Sequence, residues 1–566
     1  MAQLPTTYSY ITEPTPFELD SNTTPTYPDI VAYYEQYADH PQVHISEVGK
    51  TDSGHPLHEV VISADGVHDP EAARAQGKAV ILVNNGIHPG EPCGIDASML
   101  LLKQLLTTEQ HLLQHTTVVI VPVYNIGGCL NRSSTSRANQ VGPAAYGFRG
   151  NAKNLDLNRD FVKCDSGNAR AFAQIFHKWQ PQILMDNHTS NGADYQYTMT
   201  LIPTQKDKLD AKLAGFMTKQ LLPDLYKHMA NNGYKMTPYV YSMGSTPDGG
   251  IKGFMDYPRY SSGYAAMHHC ISFMPETHML KPYADRVLST LLLMKAMLRH
   301  MGTHHATIIA NHQAAIAQAQ RQEVWPLQYE LDSTVVDTII FDGYEPGQKA
   351  SAVTGADRLY YDRSKPYSKS IPHYNTYRPT LTIERPTAYL IPQAYTDVVE
   401  LLRLNGVIVN RLPTDTTHIT DMYYIQDYSS TSRPYEAHYL HYDVEVSTKT
   451  LPIRWQQGDF IVYTAQPKAS YIIQTLEPQG PDSYFAWNYF DGILMQKEHY
   501  SAYVWEDLAA DLLARDANLR TALDDKKAND QVFAKSPRMQ LDFIYSQSPY
   551  YEDTYLRYPV GRVVVK

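Results

Sequence analysis

The chain has 566 residues, of which 43% are hydrophobic and 19% charged; that suits a folded protein and is too long for one hydrophobic core, so two to four domains are expected. Its net charge of -11 arises from 59 acidic against 48 basic residues with no long block of either sign. That argues against nucleic acid as a partner, since phosphate binding needs concentrated Lys and Arg. No apolar run approaches the roughly 18 residues of a membrane span.

The four cysteines, Cys93, Cys129, Cys164 and Cys270, are too few and too scattered for a disulfide scaffold or a thiolate zinc cluster. The start, Met1-Ala2-Gln3-Leu4-Pro5, has no basic n-region and no apolar h-region, so no export signal is present as written. An abrupt polar start is also what trimming of a signal peptide leaves, and the expectation is an exported protein, secreted or periplasmic.

In chain order, residues 1–28 are polar and Pro-rich and predict an extended arm. Val43 to Ser63 reads as a β-hairpin around Asp52-Ser53-Gly54. Buried strands are predicted near 78–84, 116–123, 182–187, 196–202 and 270–275, alternating with helices near 93–106, 167–179, 207–231 and 282–301. Such alternation implies an α/β fold, a central sheet with helices on both faces. A helical signal continues through 306–322, and the composition changes near 320. Beyond it, many of the 44 tyrosines mark a β-rich or α+β region with short strands, a strand–helix–strand unit from Ala388 to Val409, and helices from Ala502 onwards. The expected organisation is an arm over 1–28, an α/β domain over 29–320, and an accessory region over 321–566 with two possible subdomains.

Four motifs carry chemistry. His88-Pro89-Gly90-Glu91 follows a buried strand, and a His and a carboxylate three positions apart can close on one metal ion. The same four residue types also make ordinary surface turns. Asp186-Asn187-His188 ends another buried strand, and ligands gather at the carboxyl ends of strands in open α/β sheets. Together His88, Glu91 and His188 make a His₂Glu set of the kind that binds zinc and leaves one position open. Asn158-Arg159 offers a fork of donors suited to a carboxylate, though surface arginines are usually salt-bridged. Glu276 ends a further apolar strand, Ile271 to Pro275.

These residues in this order resemble the zinc metallocarboxypeptidases of the carboxypeptidase A type, over about residues 28–305. The resemblance implies a mixed central sheet with helices on both faces and one Zn²⁺ per chain held by His88, Glu91 and His188, with Glu276 as general base and then general acid. It implies that Asn158 and Arg159 grip the terminal carboxylate of a peptide substrate with a free C-terminus. Arg149 is the best match to the family's transition-state arginine, with Lys153 and Arg137 as substitutes. The family's mobile tyrosine has no counterpart before Gly249-Gly250, where Ser245-Thr246-Pro247-Asp248 stands; Tyr241, Tyr257, Tyr260 and Tyr264 remain open. The implied function is release of C-terminal amino acids from peptides. Two alternatives share parts of the pattern: an aspartoacylase- or desuccinylase-like zinc deacylase of small N-acyl amino acids, matched by Asp156-Leu-Asn-Arg-Asp-Phe161, and a binding scaffold without catalysis.

Overall fold

The computed structural model describes residues 13–564. Ten strands belong to the first half: β1 (Val43–Lys50), β2 (Pro56–Ile62), β3 (Ala79–Asn84), β4 (Thr116–Val121), β5 (Ile183–Asp186), β6 (His188–Ser190), β7 (Met199–Pro203), β8 (Met236–Pro238), β9 (Ile251–Lys252) and β10 (Ile271–His278). All but β9 form one nine-stranded sheet in the order β1-β2-β4-β3-β5-β10-β7-β8, with β6 paired to β10. β3, β4, β5 and β10 run parallel at its centre, whereas β1–β2, β2–β4 and β7–β10 are antiparallel. The sheet is mixed, as expected.

Alternation along β3 explains why both faces are covered. Ala79, Ile81 and Val83 join the cluster formed with the helices Cys93–Leu105 and Tyr283–Ala319. Val80 and Leu82 point the other way, toward Phe172, Phe176 and Trp179 of the helix Gly167–Trp179. The period of two in a strand sorts these residues automatically.

Several elements differ from expectation. The start is not a fully extended arm: Thr15 caps a short helix, Pro16–Leu19, and a second helix, Tyr27–Glu35, begins at the capping residue Thr26, while residues 1–12 lie outside the described residues. The helix expected over 207–231 is broken into Ala211–Phe216, a π turn at Met217–Leu221 and Leu222–Asn231; the π turn ends beside Pro223, which has no N–H to continue the ladder. Tyr283–Ala319 is one continuous helix of 37 residues.

Beyond it the strands are longer than the short apolar runs suggested. β11 (Val324–Leu331) pairs with β14 (Tyr377–Glu384), and β12 (Asp337–Ala350) forms a long ribbon with β13 (Asp357–Tyr374). Much of that ribbon faces solvent on both sides, so it lacks the in–out alternation by which strands are recognised. Its base joins the first half, with His373 opposite Ile251 of β9. The unit at Ala388 has its strand, Ala388–Ile391, and its helix, Thr396–Leu404, but Gly406 to Val409 is loop and the next strand is only Asn410–Arg411.

The composition change near 320 coincides with the end of the long helix, yet one hydrophobic cluster runs across it. Phe172, Phe176 and Tyr264 share a core with Leu401, Tyr471, Tyr484 and Trp487. A separate small cluster, built on Trp505, Leu523, Phe533 and Ile544, holds the helices from Ala502 to Ser546. Among the described residues no helix is long and apolar enough to cross a membrane.

Candidate active site

The carboxyl ends of three central strands meet at one point. Asn84 at the end of β3 stands opposite Asp186 at the end of β5, and Glu276 of β10 stands opposite His188 of β6. Just past β3 the backbone N–H of Glu91 donates to the His88 carbonyl at 2.8 Å, a tight turn that puts both side chains on the same side. The turn is tight at Gly90, where a Cβ would stand 2.7 Å from Arg137 Cδ and 3.2 Å from the Gly147 carbonyl oxygen, so a side chain there would displace Arg137.

His88, Glu91 and His188 are brought together with one ligand atom of each within 4.8 Å of the others. Each imidazole is oriented by a carboxylate: His88 Nε2 lies 2.8 Å from Asp156 Oδ1, and His188 Nε2 lies 3.0 Å from Asp186 Oδ2. That turns both Nδ1 atoms toward Glu91, with His88 Nδ1 3.4 Å from Oε1 and His188 Nδ1 3.2 Å from Oε2. His88 Nδ1 is buried and has no hydrogen-bond partner among the described residues. A buried, unpaired nitrogen facing a carboxylate and a second imidazole fits a metal ion, and carboxylate-backed histidines are the usual support for one.

Glu91 is held by the Thr189 backbone N–H at 2.8 Å and by Arg137 Nη1 at 2.8 Å. Asp186 accepts from Ser261 Oγ at 2.6 Å and from Asn84 Nδ2 at 3.0 Å. Burial alone would raise the Asp156 carboxyl, but His88, Arg149 and Arg159 around it hold it well below the usual carboxylate range. Glu276 behaves oppositely: burial pushes its carboxyl up to about 7, opposed by His188 and reinforced by the nearby Glu91.

All seven residues singled out in the sequence, His88, Glu91, Arg149, Asn158, Arg159, His188 and Glu276, line one open cleft of about 230 Å³. Arg149 donates to Asp156 Oδ2 through Nε at 2.9 Å, and its Nη1 stands 3.8 Å from Glu91 Oε1. Arg159 lies over the Tyr260 ring at 4.5 Å, and Asn158 Oδ1 accepts from the Ser261 N–H at 3.1 Å. Of the two possible substitutes for Arg149, Arg137 lines the cleft, whereas Lys153 pairs with Asp52 at 3.1 Å outside it.

Of the four tyrosines left open, Tyr260 lines the cleft. Tyr264 is buried and donates to Asn405 Oδ1 at 2.6 Å, while Tyr241 lies under Lys252. Tyr239, not singled out in the sequence, lines the cleft as well. The motifs contain Asp156 and Asp186, but the sequence by itself assigns neither a role. Asp186 and His188 stand two apart, the spacing that puts both side chains on one face of an extended segment, and that was their legible signal.

Residues 30–194 match the family model described as zinc carboxypeptidase. Carboxypeptidase 2 of Trichophyton rubrum is 22% identical over 441 residues, covering 75% of this chain and 75% of its own. Carboxypeptidase 2 of Trichophyton equinum is 22% identical over 432 residues, covering 72% of this chain and 73% of its own. Among solved structures, a metallo-carboxypeptidase from Burkholderia cenocepacia is similar over 49% of this chain and 69% of that one, at 15% identity and a TM-score of 0.36. The likeness to zinc carboxypeptidases is carried by residues 30–194, and the relatives so named are 22% identical. The matched residues include His88, Glu91, His188 and Asn158-Arg159 and end before Glu276.

Proposed function

We propose that this protein is a zinc-dependent carboxypeptidase that hydrolyses the last peptide bond of substrates ending in a free carboxylate. The observation that carries this is the sharing of one cleft by a His₂Glu metal site and the Asn158–Arg159 donor pair. The first suits attack on a carbonyl and the second suits a carboxylate. In this reading residues 29–320 hold the chemistry, and 321–566 are an accessory region packed on them.

His88, Glu91 and His188 would hold one zinc ion, which when bound supplies a Lewis acid and an acidified water. Glu276 takes the proton from the attacking water and passes it to the leaving amine; a carboxyl raised by burial is the stronger base for that task. Arg149 donates to the oxygen that becomes negative as the carbonyl turns tetrahedral. Asn158 and Arg159 fix the terminal carboxylate and thereby select which bond faces Glu276. Tyr239 and Tyr260 are the phenols within the cleft.

The test is a mixed peptide library read by mass. Single-residue losses from the C-terminus are expected, abolished by a chelator and restored by zinc. Cleavage at internal bonds, or turnover of small N-acyl amino acids alone, would sink the carboxypeptidase assignment.

A further inference from the structure

The C-terminal region reaches the catalytic residues at one turn. Tyr435 N donates to the His438 carbonyl at 2.7 Å, and His438 N returns to the Tyr435 carbonyl at 3.1 Å. The two residues between them, Glu436 and Ala437, have φ of 50° and 69°. A two-residue turn with both central φ positive is the form normally filled by Asn and Gly, because Cβ atoms are crowded there. Strain of this kind persists where the surroundings need that backbone.

Three side chains of this turn, those of Tyr435, Glu436 and His438, are engaged with the first half. Tyr435 Oη accepts from Arg159 Nε at 3.0 Å. Glu436 Oε2 accepts from the Asp156 backbone N–H at 2.7 Å, and His438 Nε2 lies 2.8 Å from Asp165 Oδ2. The turn is also braced from behind. The Tyr435 ring stacks on buried Trp487 at 6.2 Å and 17°. Arg259, paired with Asp482 at 2.7 Å, lies 5.6 Å from the Tyr435 ring and 5.3 Å from that of Trp487.

The consequence falls on Arg159. Its Nε is taken by Tyr435, its Nη1 by the Asn158 carbonyl at 2.8 Å, and its face by Tyr260. Nη2 makes no hydrogen bond to protein among the described residues. A long arginine stem that is fixed before the ligand arrives loses less freedom on binding it.

We propose that the C-terminal region is a working part of the active site, with Tyr435 as a positioning residue that sets the Arg159 guanidinium to receive the substrate's terminal carboxylate. This rests on the carboxypeptidase reading through the role of Arg159.

Tyr435→Phe removes the hydroxyl and keeps the ring against Trp487. It is tested with a matched pair of peptides, one free-acid and one C-terminally amidated, together with thermal unfolding. Because hydrogen bonds to charged groups are among the stronger ones, KM for the free-acid peptide should rise by roughly 5- to 30-fold. kcat should stay within about twofold, as expected when ground-state and transition-state binding are lost alike. The amidated peptide and the unfolding temperature should be unchanged. Trp487→Phe, which loosens the same turn from behind, should move the free-acid to amide ratio in the same direction. If the wild type discriminates between the peptides and Tyr435→Phe leaves that ratio unchanged, the role of Tyr435 is overturned and the carboxypeptidase reading stands. Equal losses on both peptides with a lowered unfolding temperature would mark the turn as structural and overturn it too. A wild type that does not discriminate would overturn both, since Arg159 would then have no carboxylate to hold.

Discussion

Asp156 holds His88 from behind, its Oδ1 lying 2.8 Å from His88 Nε2. The same carboxylate binds Arg149 through Oδ2, at 2.8 Å from Nη2. One side chain therefore aims the metal-facing nitrogen of His88 and places the arginine that borders the cleft. Its own charge is secured by those cations and by Arg159, so it stays ionised at any pH at which the enzyme would work.

Asp156→Asn should weaken the metal site without dismantling it. The amide keeps the shape but loses the charge that makes the imidazole a better ligand, and such changes typically cost about 10- to 100-fold in metal affinity. Competition against a chelator of known strength measures it. An unaltered zinc affinity would mean that Asp156 serves Arg149 rather than His88.

Glu276→Gln separates chemistry from binding. The variant should keep its metal content and its KM while kcat falls by about 10²- to 10⁴-fold, the usual contribution of a positioned acid–base group. Elemental analysis beside steady-state kinetics checks both halves of that statement. A kcat near the wild-type value would require a different carboxylate as the base.

Six of the seven candidate residues were legible because each sits at the end of an apolar strand or within a compact motif, where local sequence fixes local geometry; Arg149 came only from the family resemblance, and the fold brings it to the same cleft. Asp156 and Asp186 were less so: their roles depend on which imidazole a carboxylate meets across the fold. Tyr435 and Glu436 had no local signal at all. They reach Arg159 and Asp156 from almost 280 positions away, at separations of 276 and 280 residues. Likewise the strands of the β12–β13 ribbon were underestimated, since exposed two-stranded ribbons lack the alternation that marks half-buried ones.

Asp96 makes stability depend on pH. It lies buried on the helix Cys93–Leu105, accepting from Thr24 Oγ1 at 2.7 Å and from the Tyr283 hydroxyl. Burial pushes its carboxyl up to about 7, despite those two hydrogen bonds and nearby Arg132. The unfolded chain would release that proton near pH 4, so between about pH 4 and pH 7 the folded state binds the extra proton and stability falls as pH rises. Above about 7 both states are ionised and the loss levels off, on the order of 4 kcal/mol in total. Asp96→Asn, which does not titrate, should match the wild type near pH 4 and be more stable at pH 8. Denaturant midpoints for the two proteins across pH 4 to 8 give the difference directly. A difference that stays constant over that range would show that Asp96 titrates normally.

The shared core makes a last demand on the chain. Phe172, Phe176 and Trp179 of the catalytic half are almost wholly buried, and they share one cluster with Tyr471, Tyr484, Phe485 and Trp487. Ending the chain after Gln322 would strip that cover and leave a contiguous apolar face in water, a surface that soluble domains rarely tolerate. The shortened chain should therefore aggregate or lose its cooperative thermal transition, although it keeps every metal ligand. In the intact protein, Trp487→Ala should cost about 3–5 kcal/mol, as deletions of large buried aromatics do. It should also lower the temperature at which peptidase activity disappears, because the two halves melt as one unit. Activity and tertiary circular dichroism followed on the same heating ramp decide it. If the shortened chain unfolds cooperatively at the wild-type temperature, the two halves have independent cores and the shared cluster contributes little to either.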